Sequence, residues 1–145
     1  MNQISDRVKF LVTLSKTQSV LSKRFDSGMG NGIGFNEFLI LLFLSQAPEQ
    51  KMRRIDLADK IGITASGITR MLLPMEKIGL VKNGDNEADA RVRFVYLSSG
   101  GKEKLEDALD RFEMLAEDVI SDDKVNNLKS FSDLLIEIGG KILMK

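Results

Sequence analysis

Ser66, Arg70, Leu73 and Lys77 follow one another at steps of three and four residues, the spacing that stacks side chains along one face of an α-helix. That face offers a hydroxyl, a guanidinium and an ammonium. Such groups grip phosphate oxygens and base edges through charge and hydrogen bonding. The opposite face carries Ile68, Leu72 and Met75, with Met71 beside them, an apolar stripe that must be buried. Just upstream, Ile55, Leu57, Ala58 and Ile61 form a shorter helical pattern that stops at Gly62, a residue free to adopt the left-handed conformation of a helix end. Thr64 follows, with a side-chain oxygen able to cap the next helix. Two short helices across a glycine turn predict a helix-turn-helix, whose second helix fits the major groove of DNA.

The residues that are missing narrow the chemistry further. The chain has no cysteine and no histidine, so thiol chemistry, His-based metal sites and the commonest general base are excluded within it. No nucleophile–base pairing is visible, and no enzyme activity, cofactor or metal is expected. Gly28, Gly30, Gly32 and Gly34 alternate in a GxGxGxG run without the Lys-Ser/Thr of a phosphate loop, which predicts a flexible connection.

Net charge over the 145 residues is zero, but it is unevenly spread. Residues 51–93, around the helix-turn-helix, carry a balance of +3, and residues 94–145 carry −4. The local field governs phosphate contact. The acidic stretch Glu103–Asp123 is read as the wet face of a helix. Hydrophobic content of 43% and charged content of 29% are those of a globular protein. The longest apolar run, Phe38–Leu44, falls far short of the ~20 residues of a membrane span. Asp6, Arg7 and Lys9 break any signal-peptide pattern, so a cytoplasmic protein without membrane contact is expected.

Other elements must hold the helix-turn-helix in place. Ile4, Val8, Leu11, Leu14, Leu21 and Phe25 predict a long amphipathic helix that stops at a loop over 26–34. Asn36–Ser45 is apolar on nearly all sides, so a buried central helix is expected, ending before Pro48. Leu80–Asn83 and Arg93–Ser98 have strand composition, with a polar loop over 84–92 between them. They predict a β-hairpin wing behind the second helix of the motif. Pro74 should bend that helix near its end. From Ser98, a helix cap, Leu105, Leu109, Phe112, Ala116 and Val119 continue at helical spacing; after Ser121 and Asp122 a last helix follows through Val125, Leu128, Phe131, Leu135, Ile138 and Ile142. The terminal stripes need a partner surface, and a second copy of the chain supplies one.

These segments resemble the MarR (multiple antibiotic resistance regulator) family of transcription factors. Asp56-Leu57-Ala58 with Ile61 is similar to the family's E/D-L-A, Ile68-Thr69-Arg70 to its V-T-R, and Met75-Glu76-Lys77-Ile78-Gly79-Leu80-Val81 to its L-E-x-x-G-L-V. Asp89-Ala90-Arg91, then Val95 and Leu97-Ser98 with Gly101, resembles the wing's D-x-R, V-x-L-T and following glycine. Asn83 stands where the family usually has Arg, Ala90 where it often has a second, and Asp85 and Glu87 add negative charge to the wing.

The resemblance implies a mainly α fold with a small β-hairpin wing: one domain over 1–145, with a winged helix-turn-helix lobe at 34–98 and helical dimerisation regions at 1–33 and 99–145. It implies a homodimer on a pseudo-palindromic double-stranded operator, acting as a repressor that a small aromatic or phenolic effector releases. The effector would sit in a cleft lined from the first, second and fifth helices. Ser66, Thr69 and Arg70 would face the major groove and Arg91 the minor groove, with Asp89 orienting the wing. Thr64, Gly67, Lys77 and Arg93 complete the expected DNA-binding set. Leu73 reads either as a contact to a thymine methyl or as an incidental exposed leucine. The rival reading is a winged-helix protein-interaction module with little specific DNA binding.

Overall fold

A computed structural model describes residues 3–28, 32–84 and 93–145. Contacts divide the chain into two units, residues 1–111 and 112–145. In the first unit, α1 (Asp6–Gly28) leads to α2 (Phe35–Gln46), β1 (Lys51–Arg53), α3 (Arg54–Ile61), α4 (Ala65–Lys77), β2 (Val81–Asn83) and β3 (Phe94–Leu97). Next comes α5 (Ser99–Val119), which crosses the boundary between the units.

α1 is anchored at its C-terminal end. There Phe25 is 1% exposed and meets the rings of Phe35 and Phe38 at centroid distances of 5.3 and 5.0 Å. Asp26 Oδ1 accepts the Phe35 N–H at 2.7 Å, placing a carboxylate on the otherwise uncapped start of α2. The expectation that the first helix stops before residue 26 is corrected: α1 runs to Gly28, and Asp26 reaches the start of α2 from within it. Phe38, Ile40, Leu41 and Leu44 of α2 are all buried. α2 is thus the central helix expected from its composition.

The sheet has three antiparallel strands in the order β1-β3-β2. Lys51 pairs with Tyr96 on one side of β3, and Val81 with Leu97 on the other. The expected hairpin is present as β2 and β3, with β1 as an unforeseen third strand. Leu57, Ile68, Leu72, Met75, Val81 and Val95 close the core beneath it. Each such side chain contributes about 1.5–3 kcal/mol by leaving water.

The second unit holds the end of α5, a 3-10 turn at Asp122–Asn127 and α6 (Leu128–Leu143). Val125, expected on the last helix, lies in that turn instead. None of residues 112–145 is buried. Phe131, Leu134, Leu135, Ile136, Ile142 and Leu143 are all exposed, Ile136 at 73%.

Candidate nucleic-acid interface

The turn between α3 and α4 is built as the glycine predicts. Gly62 has φ +84, and the N–H groups of Gly62 and Ile63 both reach the Ala58 carbonyl, at 2.9 and 3.0 Å. Thr64 then caps α4: its Oγ1 accepts the Gly67 N–H at 3.0 Å and lies 3.2 Å from Ser66 Oγ. Gly67 fits here because a Cβ on it would stand 3.1 Å from the capping oxygen. The roles of Thr64 and Gly67 visible in the structure are thus in shaping the helix start, close to Ser66.

α4 divides its surface as the 3.6-residue period requires. Ile68, Leu72 and Met75 are each 1% exposed. Ser66, Arg70, Leu73 and Lys77 are exposed, with Leu73 at 51%. Thr69 is half-buried and its hydroxyl donates to the Ala65 carbonyl at 3.1 Å, which draws it back toward its own helix. The helix continues three residues past Pro74. It ends on Gly79 (φ +80), where Gly79 N–H bonds to the Glu76 carbonyl and Leu80 N–H to that of Met75, a Schellman closure.

Ser98, buried at 5% exposure, joins this closure to the next helix. Its Oγ donates to the Gly79 carbonyl and accepts the Gly101 N–H at 3.0 Å. Ser98 is therefore the cap of α5, as the sequence predicts.

The base of the wing is held by side-chain pairings that the sequence did not predict. Arg54 donates its backbone N–H to the Arg93 carbonyl at 2.8 Å and its Nη2 to Asn83 Oδ1 at 2.5 Å. Asn83 Nδ2 in turn donates to Glu76 Oε2 on α4 at 2.6 Å. Arg93 is exposed just ahead of β3. Arg91 and Asp89 lie outside the described residues. Nearby, Arg53 donates to both carboxylate oxygens of Asp56 at 2.9 and 3.2 Å, and that hydrogen-bonded carboxylate raises its pKa above the usual guanidinium value.

Together Ser66, Arg70 and Lys77 form a solvent-facing row of donors on a rigid helix. That arrangement can bind an anionic groove; it has no feature of a reaction centre. Among the described residues no cluster of acidic, His or Cys side chains could hold a metal ion. No helix there is long and apolar enough to cross a membrane. A surface hollow of about 430 Å³ is lined by Gln46, Pro48, Met52, Asp56, Lys60 and Phe94. These come from the region of α2, β1, α3 and β3, not from the α1 and α5 walls expected for an effector cleft.

Comparison with known proteins bears on what this row meets. Residues 35–92 match the model of the MarR family. Over 138 residues the chain is 23% identical to the uncharacterised HTH-type transcriptional regulator YdgJ of Bacillus subtilis strain 168, covering 95% of this chain and 82% of the relative. The crystal structure of the transcriptional regulator BldR from Sulfolobus solfataricus superposes with a TM-score of 0.83 at 24% identity, covering 97% and 99% of the two chains. A MarR family transcriptional regulator from Streptomyces coelicolor, solved in complex with DNA, does so with a TM-score of 0.72 at 19% identity, covering 94% and 91%.

Proposed function

From the match of residues 35–92 to the MarR family model, we propose that the chain is a MarR family member and a homodimeric, sequence-specific DNA-binding transcriptional regulator. The observation that carries this reading is the two-sided surface of α4. A fully buried Ile68, Leu72 and Met75 leave Ser66, Arg70 and Lys77 facing outward. Arg70 reads a base edge, with the geometry to fork onto guanine O6 and N7, and Ser66, Thr69 and Lys77 hold phosphates or mixed positions. Arg91, Arg93 and Asp89 serve the wing's approach to the minor groove, while Thr64 and Gly67 set the start of the reading helix.

Self-association follows from the apolar surface left open. None of residues 112–145 is buried within the chain, and α1 exposes Val8, Phe10, Leu11, Val12 and Val20, with Ile4 exposed just before it. A two-fold dimer covers such stripes and sets two reading helices about one DNA turn apart, ~34 Å. The MarR family regulator from Streptomyces coelicolor solved with DNA supports the choice of duplex DNA as partner. The dimer acts in the cytoplasm as a repressor, and a small aromatic or phenolic ligand shifts the spacing of its lobes to release it.

The experiment is a titration against a duplex that the protein itself selects from a randomised pool, beside a scrambled duplex, at two salt concentrations. Preference for the selected duplex with a steep loss of affinity at higher salt is expected. Equal, feeble binding to both contradicts the reading and favours a protein-interaction module.

A further inference from the structure

Arg54 holds both ends of the segment that separates β2 from β3. Its backbone N–H takes the carbonyl of Arg93 on one side, and its guanidinium takes the amide oxygen of Asn83 on the other. The two ends also meet directly, through Gly84 N–H and the Phe94 carbonyl at 3.1 Å. Asn83 passes the connection on to Glu76, one residue before the outward Lys77. A cation, a neutral amide and a carboxylate thus stand in a row across α3, β2 and α4, joined by the Arg54 Nη2 and Asn83 Nδ2 donors. The amide is the right centre for such a row because it accepts from the guanidinium with one atom and donates to the carboxylate with the other. Bonds to charged groups are the stronger ones.

We propose that the Arg54–Asn83–Glu76 row is a positioning device. It fixes the direction in which the chain leaves β2 and re-enters β3 relative to the reading helix α4, so Asn83 and Arg54 set how a duplex is read without touching it. The inference rests on the DNA-binding reading above. It gives Asn83 a task that a cation at this position would not perform in the same way, since a cation facing Arg54 would repel it.

The row has a polarity, and the polarity supplies the test. Asn83→Asp keeps the bond from Arg54 but sets a carboxylate against Glu76. Adding Glu76→Gln restores the match, because the new amide can donate to the new carboxylate. Two readouts are needed for Asn83→Asp, Glu76→Gln and the double variant. The first is amide hydrogen exchange at Val81–Asn83 and Phe94, which needs no DNA. The second is the affinity ratio between a duplex selected by the unmodified protein and its scrambled version.

Asn83→Asp is expected to speed exchange at those amides and to cut the affinity ratio about tenfold, whereas the double variant returns both to within about threefold of the parent. If Asn83→Asp leaves exchange unchanged, or the double variant is no closer to the parent than Asn83→Asp, the row does not hold the wing. If exchange responds but the affinity ratio of a sequence-selective parent does not, the row is structural only and the positioning role is overturned. A parent that selects no duplex overturns the DNA-binding reading, and the positioning role with it, while exchange still reports whether the row holds β2 to α4.

Discussion

Ser98 and Gly79 are joined by a hydrogen bond from the serine hydroxyl to the glycine carbonyl, so the residue that caps α5 also seals the turn that ends α4. Behind that bond the backbone of α5 lies against the same turn. A Cβ on Gly101 would stand 2.1 Å from the Leu80 carbonyl oxygen, and one on Gly100 would stand 2.8 Å from that of Gly79. Neither obstacle is a flexible side chain. The start of α5 and the end of the reading helix are therefore packed backbone to backbone.

Gly101→Ala is expected to destabilise the protein by about 3 kcal/mol, because backbone must shift to admit the methyl group. Gly100→Ala should cost less, and Ser98→Ala about 1–2 kcal/mol through the lost cap and the unanswered carbonyl. Urea unfolding of the three variants checks the order. A Gly101→Ala protein as stable as the parent would refute the close approach.

Thr64→Ala removes the acceptor for Gly67 N–H and should lower stability by about 1 kcal/mol, whereas Thr64→Ser should retain most of it. Thermal unfolding of both variants separates a capping role from a role confined to DNA.

Arg70 is exposed, so Arg70→Ala should leave stability within about 0.5 kcal/mol of the parent. Base preference at one operator position should relax by ~1–3 kcal/mol. Lys77→Ala, by contrast, should weaken binding to all sequences alike and flatten the salt dependence. Competition titrations with single-base variants of the selected duplex distinguish the two patterns. Indistinguishable profiles would contradict the division of labour along α4.

Ile136 is 73% exposed on α6, so Ile136→Lys costs the single chain little. Its expected effect is on assembly, a fall in solution mass toward one chain at micromolar concentration with helical content retained. Sedimentation of parent and variant reads this directly. A parent that already sediments as one chain would remove the dimer from the account.

The reading helix was legible because its sequence shows both sides of the helical period at once, Ile68, Leu72 and Met75 inward against Ser66, Arg70 and Lys77 outward. The glycine turn at Gly62 and the caps at Thr64 and Ser98 were legible for a similar reason, since each depends on neighbours within three or four residues. β1 was not. Lys51, Met52 and Arg53 are too few and too polar to show alternation, and they become a strand only by pairing with β3 more than 40 residues away. Asp26 looked like a loop residue because its task, capping α2, lies nine residues downstream. The Arg54–Asn83 bond spans 29 residues. No local pattern carries such a pairing, so Asn83 read as a missing arginine rather than as the centre of a row. Arg91 and Asp89 lie outside the described residues.

The central claim is that two copies of α4 enter successive major grooves of one duplex. Hydroxyl-radical footprinting of the unmodified protein on its selected duplex measures this directly. Two protected zones related by two-fold symmetry, with centres about 10 base pairs apart, are the predicted result. A single protected zone, or uniform reactivity along the duplex, would contradict it.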